Sequence, residues 1–272
     1  MPVPLKIAES ALAFRGYNVT NLGKTPQLLE VAAYESIVRE ELTRFGKICR
    51  EVVHRPVDLV SRVRERREYA LDRYAEAVAL VVAAESAQLR LLAEVHGVDP
   101  RAARVSFGYS LGEMSAVCCG GVFALDDLVR VPLALADDCA AMAHDVTMGI
   151  LFSRETDVSL AEIQGLCERV SAQGAGTVGV SAVLSPNSLL LLGQGDTVAR
   201  LKTAVDDASH ARIHLRINQH RWPPLHTPLV RQRHVPDRAA VLMEQLPGGW
   251  QAARPPVYSL AAGRRAYDGR AA

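Results

Sequence analysis

The sequence predicts an α/β protein in which a parallel sheet flanked by helices carries an inserted ferredoxin-like small domain. Two observations predict it. A short apolar stretch at 103–107 runs into Gly108-Tyr109-Ser110-Leu111-Gly112-Glu113 and then into a small, apolar, helix-compatible segment at 114–123, which reads as strand, sharp turn, helix. Further on, residues 148–217 follow the order β-α-β-β-α-β, the split motif of ferredoxin-like domains. The expected division is therefore a large α/β domain at 1–145 and 219–272, with the serine turn, and a small domain at 146–218.

The elements follow from local chemistry. From Thr25, which can cap, and Pro26, which suits a first turn, apolar residues recur at helical spacing through Leu28, Leu29, Val31, Ala32, Tyr34 and Ile37. Further helical patterns cover 57–67 and 69–95, the second ended by His96 and Gly97. The Arg62, Arg64, Arg66, Arg67 cluster, interleaved with Glu65 and Glu68, reads as a solvated helix face, with docking of an acidic partner as the alternative. A helix should begin near Leu125, with Asp126 and Asp127 in its first turn and a kink where Pro132 interrupts it. In the small domain the strands are 148–152, 177–184, 188–192 and 211–217, the helices 160–172 and 197–208, and Ser185-Pro186-Asn187 the hairpin turn. Helical residues at 236–244 and a strand-like 256–260 complete the large domain.

Composition narrows the function. At 272 residues, 49% hydrophobic and 22% charged, the chain is long and apolar enough to bury a core. Lys and Arg number 31 against 30 Asp and Glu, so no electrostatic footprint points to nucleic acid or an anionic membrane as partner. The five cysteines (Cys49, Cys118, Cys119, Cys139 and Cys167) form no CxxC pair and no zinc spacing, and read as reduced, mostly buried thiols. The first fifteen residues lack the pattern of a secretory signal and no apolar run reaches the roughly 20 residues of a membrane span, so the expected location is the cytoplasm.

The chemistry centres on Gly108, Ser110 and Gly112, a G-x-S-x-G in which glycines permit a tight turn and the serine projects its hydroxyl. The turn also aims a helix N-terminus and the Leu111 backbone N–H at an oxyanion on an attacked carbonyl. Serine requires a base, normally histidine, and eight are available. His54, His96, His144, His210 and His234 fall on helices or their ends, His214 in a strand and His220 in the loop after it. His226 lies in the proline-stiffened Trp222-Pro223-Pro224-Leu225-His226-Thr227-Pro228.

The order and context of these parts resemble the malonyl-CoA:acyl-carrier-protein transacylases and the related acyltransferase domains of polyketide and fatty acid synthases, in a divergent and C-terminally short form. The residues that carry the resemblance are 108–113, similar to the family's G-H-S-x-G-E, the small-residue helix to Val122, the β-α-β-β-α-β insert, the hairpin Leu184-Ser185-Pro186 with the strand after it, and His226 in place of the family's S-H before a helix. The resemblance covers nearly the whole chain. It implies an acyltransferase/hydrolase-like large domain and a ping-pong transfer. Ser110 attacks the thioester of an acyl-CoA, His226 takes its proton, and the acyl-serine passes its acyl group to the phosphopantetheine thiol of an acyl carrier protein in fatty acid or polyketide biosynthesis. It implies no metal and no cofactor. The implied oxyanion hole joins the N–H of Leu111 to a backbone N–H of the N-terminal loop, at Tyr17, and Gly16, Tyr109 and Leu135 fall at substrate-binding positions.

Several of those positions depart from the family's pattern. Phe14-Arg15-Gly16-Tyr17-Asn18 stands where the family has F-P-G-Q-G, Tyr109 replaces the histidine before the nucleophile, and Leu225 the serine before His226. Leu135 aligns with the arginine that clamps the free malonyl carboxylate. A bidentate arginine bond contributes about 1.5 to 3 kcal/mol, so weak malonyl selectivity and apolar acyl chains are expected. Val257-Tyr258-Ser259-Leu260 resembles the family's P-V-x-S-N-V strand, and the sequence ends at Ala272, before its Q-L-x-x-P-V-x-W segment. Two alternatives stand beside transfer: an acyl-thioester hydrolase using the same serine and histidine, and a catalytically degenerate scaffold.

Overall fold

The computed structural model describes residues 6–207, 213–218 and 220–269. Its order is β1 (Ala11–Phe14), α1 (Thr25–Glu30), α2 (Glu35–Val53), α3 (Leu59–Arg64), α4 (Tyr74–Arg90), β2 (Val105–Gly108), α5 (Leu111–Cys119), α6 (Leu125–Leu128) and α7 (Arg130–Met142). There follow β3 (Val146–Ser153), α8 (Leu160–Ala172), β4 (Val178–Ser185), β5 (Ser188–Gln194), α9 (Thr197–Asp207), β6 (Ile213–Asn218), α10 (Val235–Glu244), β7 (Val257–Ser259) and β8 (Arg264–Ala266). These make two compact units, Met1–Ala134 with Ala239–Ala272, and Leu135–Arg238. Among the described residues no helix is long and apolar enough to cross a membrane.

In the first unit the sheet order is β1-β2-β7-β8, with β1, β2 and β7 parallel and β8 antiparallel to β7. The register pairs Phe14 with Gly108, so β1 ends level with the start of the serine turn. α4 is buried from Tyr74 to Ala87, as its alanine- and valine-rich sequence requires, and α2 supplies Ile37, Val38, Leu42, Phe45, Ile48 and Cys49 to the same core. Acids within this core are paired. Glu76 accepts from Arg55 at 3.0 Å and Arg73 at 2.8 Å, and Glu41 from Ser86 at 2.7 Å and Arg90 at 2.9 Å.

Three expected helices differ from their periodicity. The run from Thr25 breaks at Val31, which leaves helical geometry at ψ 116° and lends its carbonyl to Tyr34 and Glu35 at the start of α2. The helix expected from residue 69 starts at Tyr74 instead. The Asn21 side chain holds both backbone groups of Tyr69, donating to its carbonyl at 2.8 Å and accepting from its N–H at 3.0 Å, which keeps Tyr69 out of the helix. The run expected from Leu125 is interrupted just upstream of Pro132: α6 stops at Leu128, whose carbonyl an N–H at residue 132 would have bonded, and α7 restarts at Arg130, so the proline sits in a first turn, where a missing N–H removes no bond of α7. The arginine cluster is a paired surface, with Arg66 bonded to Glu30, Arg67 to Glu65, and Arg62 stacked 4.5 Å from the Tyr69 ring centroid.

The second unit is an antiparallel sheet of order β4-β5-β3-β6, and its β-α-β-β-α-β order is the expected one. Leu151, Leu189, Leu191 and Leu215 face α8 and α9 through Ile163, Leu166, Val198, Leu201 and Val205. A β-carbon at Gly149 would meet Val198 at 2.9 Å, so glycine is what lets α9 approach this sheet. The hairpin turn is locked by Asn187, which accepts from Ser185 Oγ at 2.7 Å and donates to the Ser153 carbonyl at 2.8 Å. Ala208, His210 and Ala211, named with these elements in the sequence, lie outside the described residues. The sequence ends the small domain at 218, whereas this unit runs to Arg238. The reason is Leu229, buried with Val146, Met148 and Leu192 on the second face of the sheet, with Trp222 packed against them.

Candidate active site

The serine turn is built by close backbone contact. Ser110 has φ 54° and ψ −111°, a conformation that a side chain disfavours, between the end of β2 and the start of α5. A β-carbon on Gly108 would lie 1.9 Å from the Gly112 carbonyl carbon, and one on Gly112 would lie 2.4 Å from the Phe14 oxygen. Both glycines are therefore demanded by packing. Tyr109 N–H donates to Phe14 O at 3.1 Å, Gly112 N–H to Tyr109 O at 3.0 Å, and Glu113 N–H to Ser110 O at 2.9 Å. Gly112 and Glu113 thus use their N–H groups within the turn, while Leu111, as the first helical residue, has no intrahelical acceptor for its own. Ser110 is half-buried at this helix N-terminus.

The loop after β1 runs beside the turn. A β-carbon on Gly16 would lie 2.5 Å from the Tyr109 oxygen, so the backbone of Gly16 touches the residue preceding the serine. The Tyr17 ring meets Tyr74 edge-on at 4.7 Å, and burial, then the charge of Glu68, raises its phenol pKa. Tyr109 is exposed. The structure accordingly brings Ser110, Leu111, Tyr109, Gly16 and Tyr17 together in the first unit.

Beneath them lies a residue that sequence reasoning missed. Glu85 of α4 is 4% exposed and accepts from Arg15 N–H at 2.8 Å and from Ser115 Oγ at 2.5 Å. Burial pushes its carboxyl up to about 7, against the opposing hydrogen bonds from Ser115 and Arg15. The signal was one acid in the otherwise apolar Val81-Val82-Ala83-Ala84-Glu85. Cys118 and Cys119, farther along α5, are pushed up to about 12 and about 11 by burial and stay thiols near neutral pH.

His226 and Leu135 belong to the second unit, whereas the sequence had assigned both to the large domain, Leu135 within 1–145 and His226 within 219–272. The segment is fixed to β4 by Ser181 Oγ, which donates to the Leu225 carbonyl at 2.9 Å. Thr227 Oγ1 donates to Pro224 O at 2.6 Å and Leu225 N–H to Pro223 O at 2.8 Å, which folds a tight turn and leaves His226 exposed at φ 63°. Leu135 is buried on α7. Other histidines have local roles: His54 and His234 end helices in left-handed geometry, and His96 pairs with the Tyr34 hydroxyl at 3.0 Å.

No protein-family model matches the chain and no curated protein does. Solved structures match over most of its length. FabD from Acinetobacter baumannii aligns at TM-score 0.72 and 19% identity, over 96% of this chain and 76% of that one. Malonyl-CoA:acyl carrier protein transacylase (FabD) from Xanthomonas oryzae pv. oryzae aligns at 0.71 and 22%, over 94% and 74%. A malonyl-transacylase in complex with its type II polyketide synthase acyl-carrier protein aligns at 0.71 and 21%, over 96% and 77%. The chain therefore has the fold of the malonyl-CoA:acyl carrier protein transacylases, with a serine turn built from its own glycines at 108 and 112.

Proposed function

We propose that the chain is an acyltransferase that moves an acyl group from CoA to the phosphopantetheine thiol of an acyl carrier protein through an acyl-serine at Ser110. The observation that carries the reading is the positive-φ serine between two packing-enforced glycines at the N-terminus of α5. Ser110 Oγ attacks the thioester carbonyl, and His226 is assigned to take its proton and return it to the departing CoA sulfur. The tetrahedral oxyanion receives the Leu111 N–H and an N–H of the loop at Gly16 and Tyr17. The carrier thiol then attacks the acyl-serine ester, releasing the serine. Tyr109 and Leu135 each keep the substrate-binding role that the family resemblance gives its position, and a leucine in place of an arginine favours apolar acyl groups over malonyl. The assigned location is the cytoplasm.

Incubation with radiolabelled acetyl-CoA and malonyl-CoA, followed by acid trapping, should label Ser110, and Ser110→Ala should abolish the label. Addition of carrier protein should move the label onto it; label lost to water instead makes the chain a thioester hydrolase. Leu135→Arg should raise malonyl loading relative to acetyl. Absence of label with every acyl-CoA leaves a scaffold without catalysis.

A further inference from the structure

Glu85 joins the two segments that meet at the serine turn. One carboxylate oxygen takes the N–H of Arg15, where the chain leaves β1, and the other takes the hydroxyl of Ser115, five residues along α5 from Ser110. The same segments touch above it, with the place of a Gly112 β-carbon 2.6 Å from Arg15 O and that of a Gly16 β-carbon 2.5 Å from Tyr109 O. An acid so buried is disfavoured in its charged form, and alanine would suit the apolar run around it. What a carboxylate adds is a charge-assisted bond to a backbone N–H, about twice as strong as a neutral one.

We propose that Glu85 is a positioning residue for acylation, its ionised carboxylate holding the backbone of residues 15–17 in register beside Ser110. The proposal rests on the assignment of Ser110 as the acylated residue. It requires the loop to loosen when Glu85 is protonated. The charged group acting on it from the β1 loop is Arg15, whose Nη2 donates to the Thr20 carbonyl at 2.7 Å. α5 presents the Ser115 hydroxyl, and the buried acid between α2 and α4, Glu41, is bonded to Arg44, Arg90 and Ser86.

Two measurements on the full chain test this. The first needs no substrate: the Arg15 amide, labelled with 15N and assigned by its loss in Arg15→Lys, should titrate with a midpoint near pH 7 in the wild type and in Ser110→Ala, and should be flat in Glu85→Gln. The second is the single-turnover acylation rate from pH 5.5 to 8.5. At pH 8 the near-isosteric Glu85→Gln should acylate about tenfold more slowly, since a misplacement near 1 Å costs up to about a hundredfold, and its profile should lose the limb that depends on Glu85. An Arg15 amide that does not titrate in the wild type overturns the proposal, as does a Glu85→Gln enzyme with wild-type rate and pH profile. Failure of the acyl-serine reading is seen separately, as a wild-type chain that takes no label while the amide titration still reports on the loop.

Discussion

The Tyr267 hydroxyl donates to Glu113 Oε1 at 3.1 Å, while the Leu260 N–H donates to Oε2 of the same carboxylate at 3.2 Å. Glu113 lies in the first turn of α5, where its charge also meets the positive end of the helix dipole. This acid therefore ties the β7–β8 segment to the helix that presents Ser110. Burial and the Glu113 charge push the Tyr267 phenol up to about 12, so the bond persists through neutral pH. Tyr267→Phe should lower stability by about 1 kcal/mol, read as a fall in denaturant midpoint at constant m-value. An unchanged midpoint would mean that the bond contributes nothing net.

Ser106 should behave in the opposite sense. Its Oγ is fully buried on β2 and has no hydrogen-bond partner among the described residues. An unpaired buried hydroxyl costs about 1 to 3 kcal/mol, and alanine has nearly the same shape without it. Ser106→Ala should raise the thermal midpoint by a few degrees, about 1 kcal/mol, without moving the turn two residues on. A destabilised variant would reveal a bond that the hydroxyl makes in solution.

Stability as a function of pH should report on Glu85. Its folded value of about 7 stands above the unfolded 4.5, so its contribution is fully present below pH 4.5 and is lost as pH rises through 7. That rise corresponds to on the order of 3 kcal/mol. Glu85→Gln should therefore gain on the wild type between pH 4.5 and 7 and run parallel to it above, in denaturant unfolding at a series of pH values. A constant difference between the two curves would contradict the raised value. Combined with slower acylation, this makes the glutamine variant firmer and less active.

Much of this was legible in the sequence, and the parts that were not share a cause. The β-α-β-β-α-β unit and the serine turn are encoded locally, by alternation, by Ser185-Pro186-Asn187 and by glycines whose spacing the backbone contacts enforce. β1 and β8, of four and three residues, are too short to alternate visibly, and neither carries the marker that revealed the equally short β2 and β7, the serine turn after one and the family-like Val257-Tyr258-Ser259 in the other. The late start of α4 depends on Asn21, 48 positions from the tyrosine it binds. The placement of His226 depends on Leu229 finding the second face of the β3–β5 sheet. Glu85 was hidden for a similar reason, since its partners come from a distant loop and helix. Periodicity reports which face of an element is apolar, and remains silent about partners remote in the chain.

The left-handed geometry of Ser110 has a consequence for evolution as much as for chemistry. A side chain at φ 54° and ψ −111° carries a conformational debt of about 1 to 3 kcal/mol whether or not its hydroxyl reacts. Ser110→Gly should accordingly melt higher than Ser110→Ala, by about 1 kcal/mol, although neither can be acylated. A lineage with no use for the hydroxyl would be free to drift toward glycine here, so serine kept or lost at this position among relatives would read out whether reach is what sustains the tension.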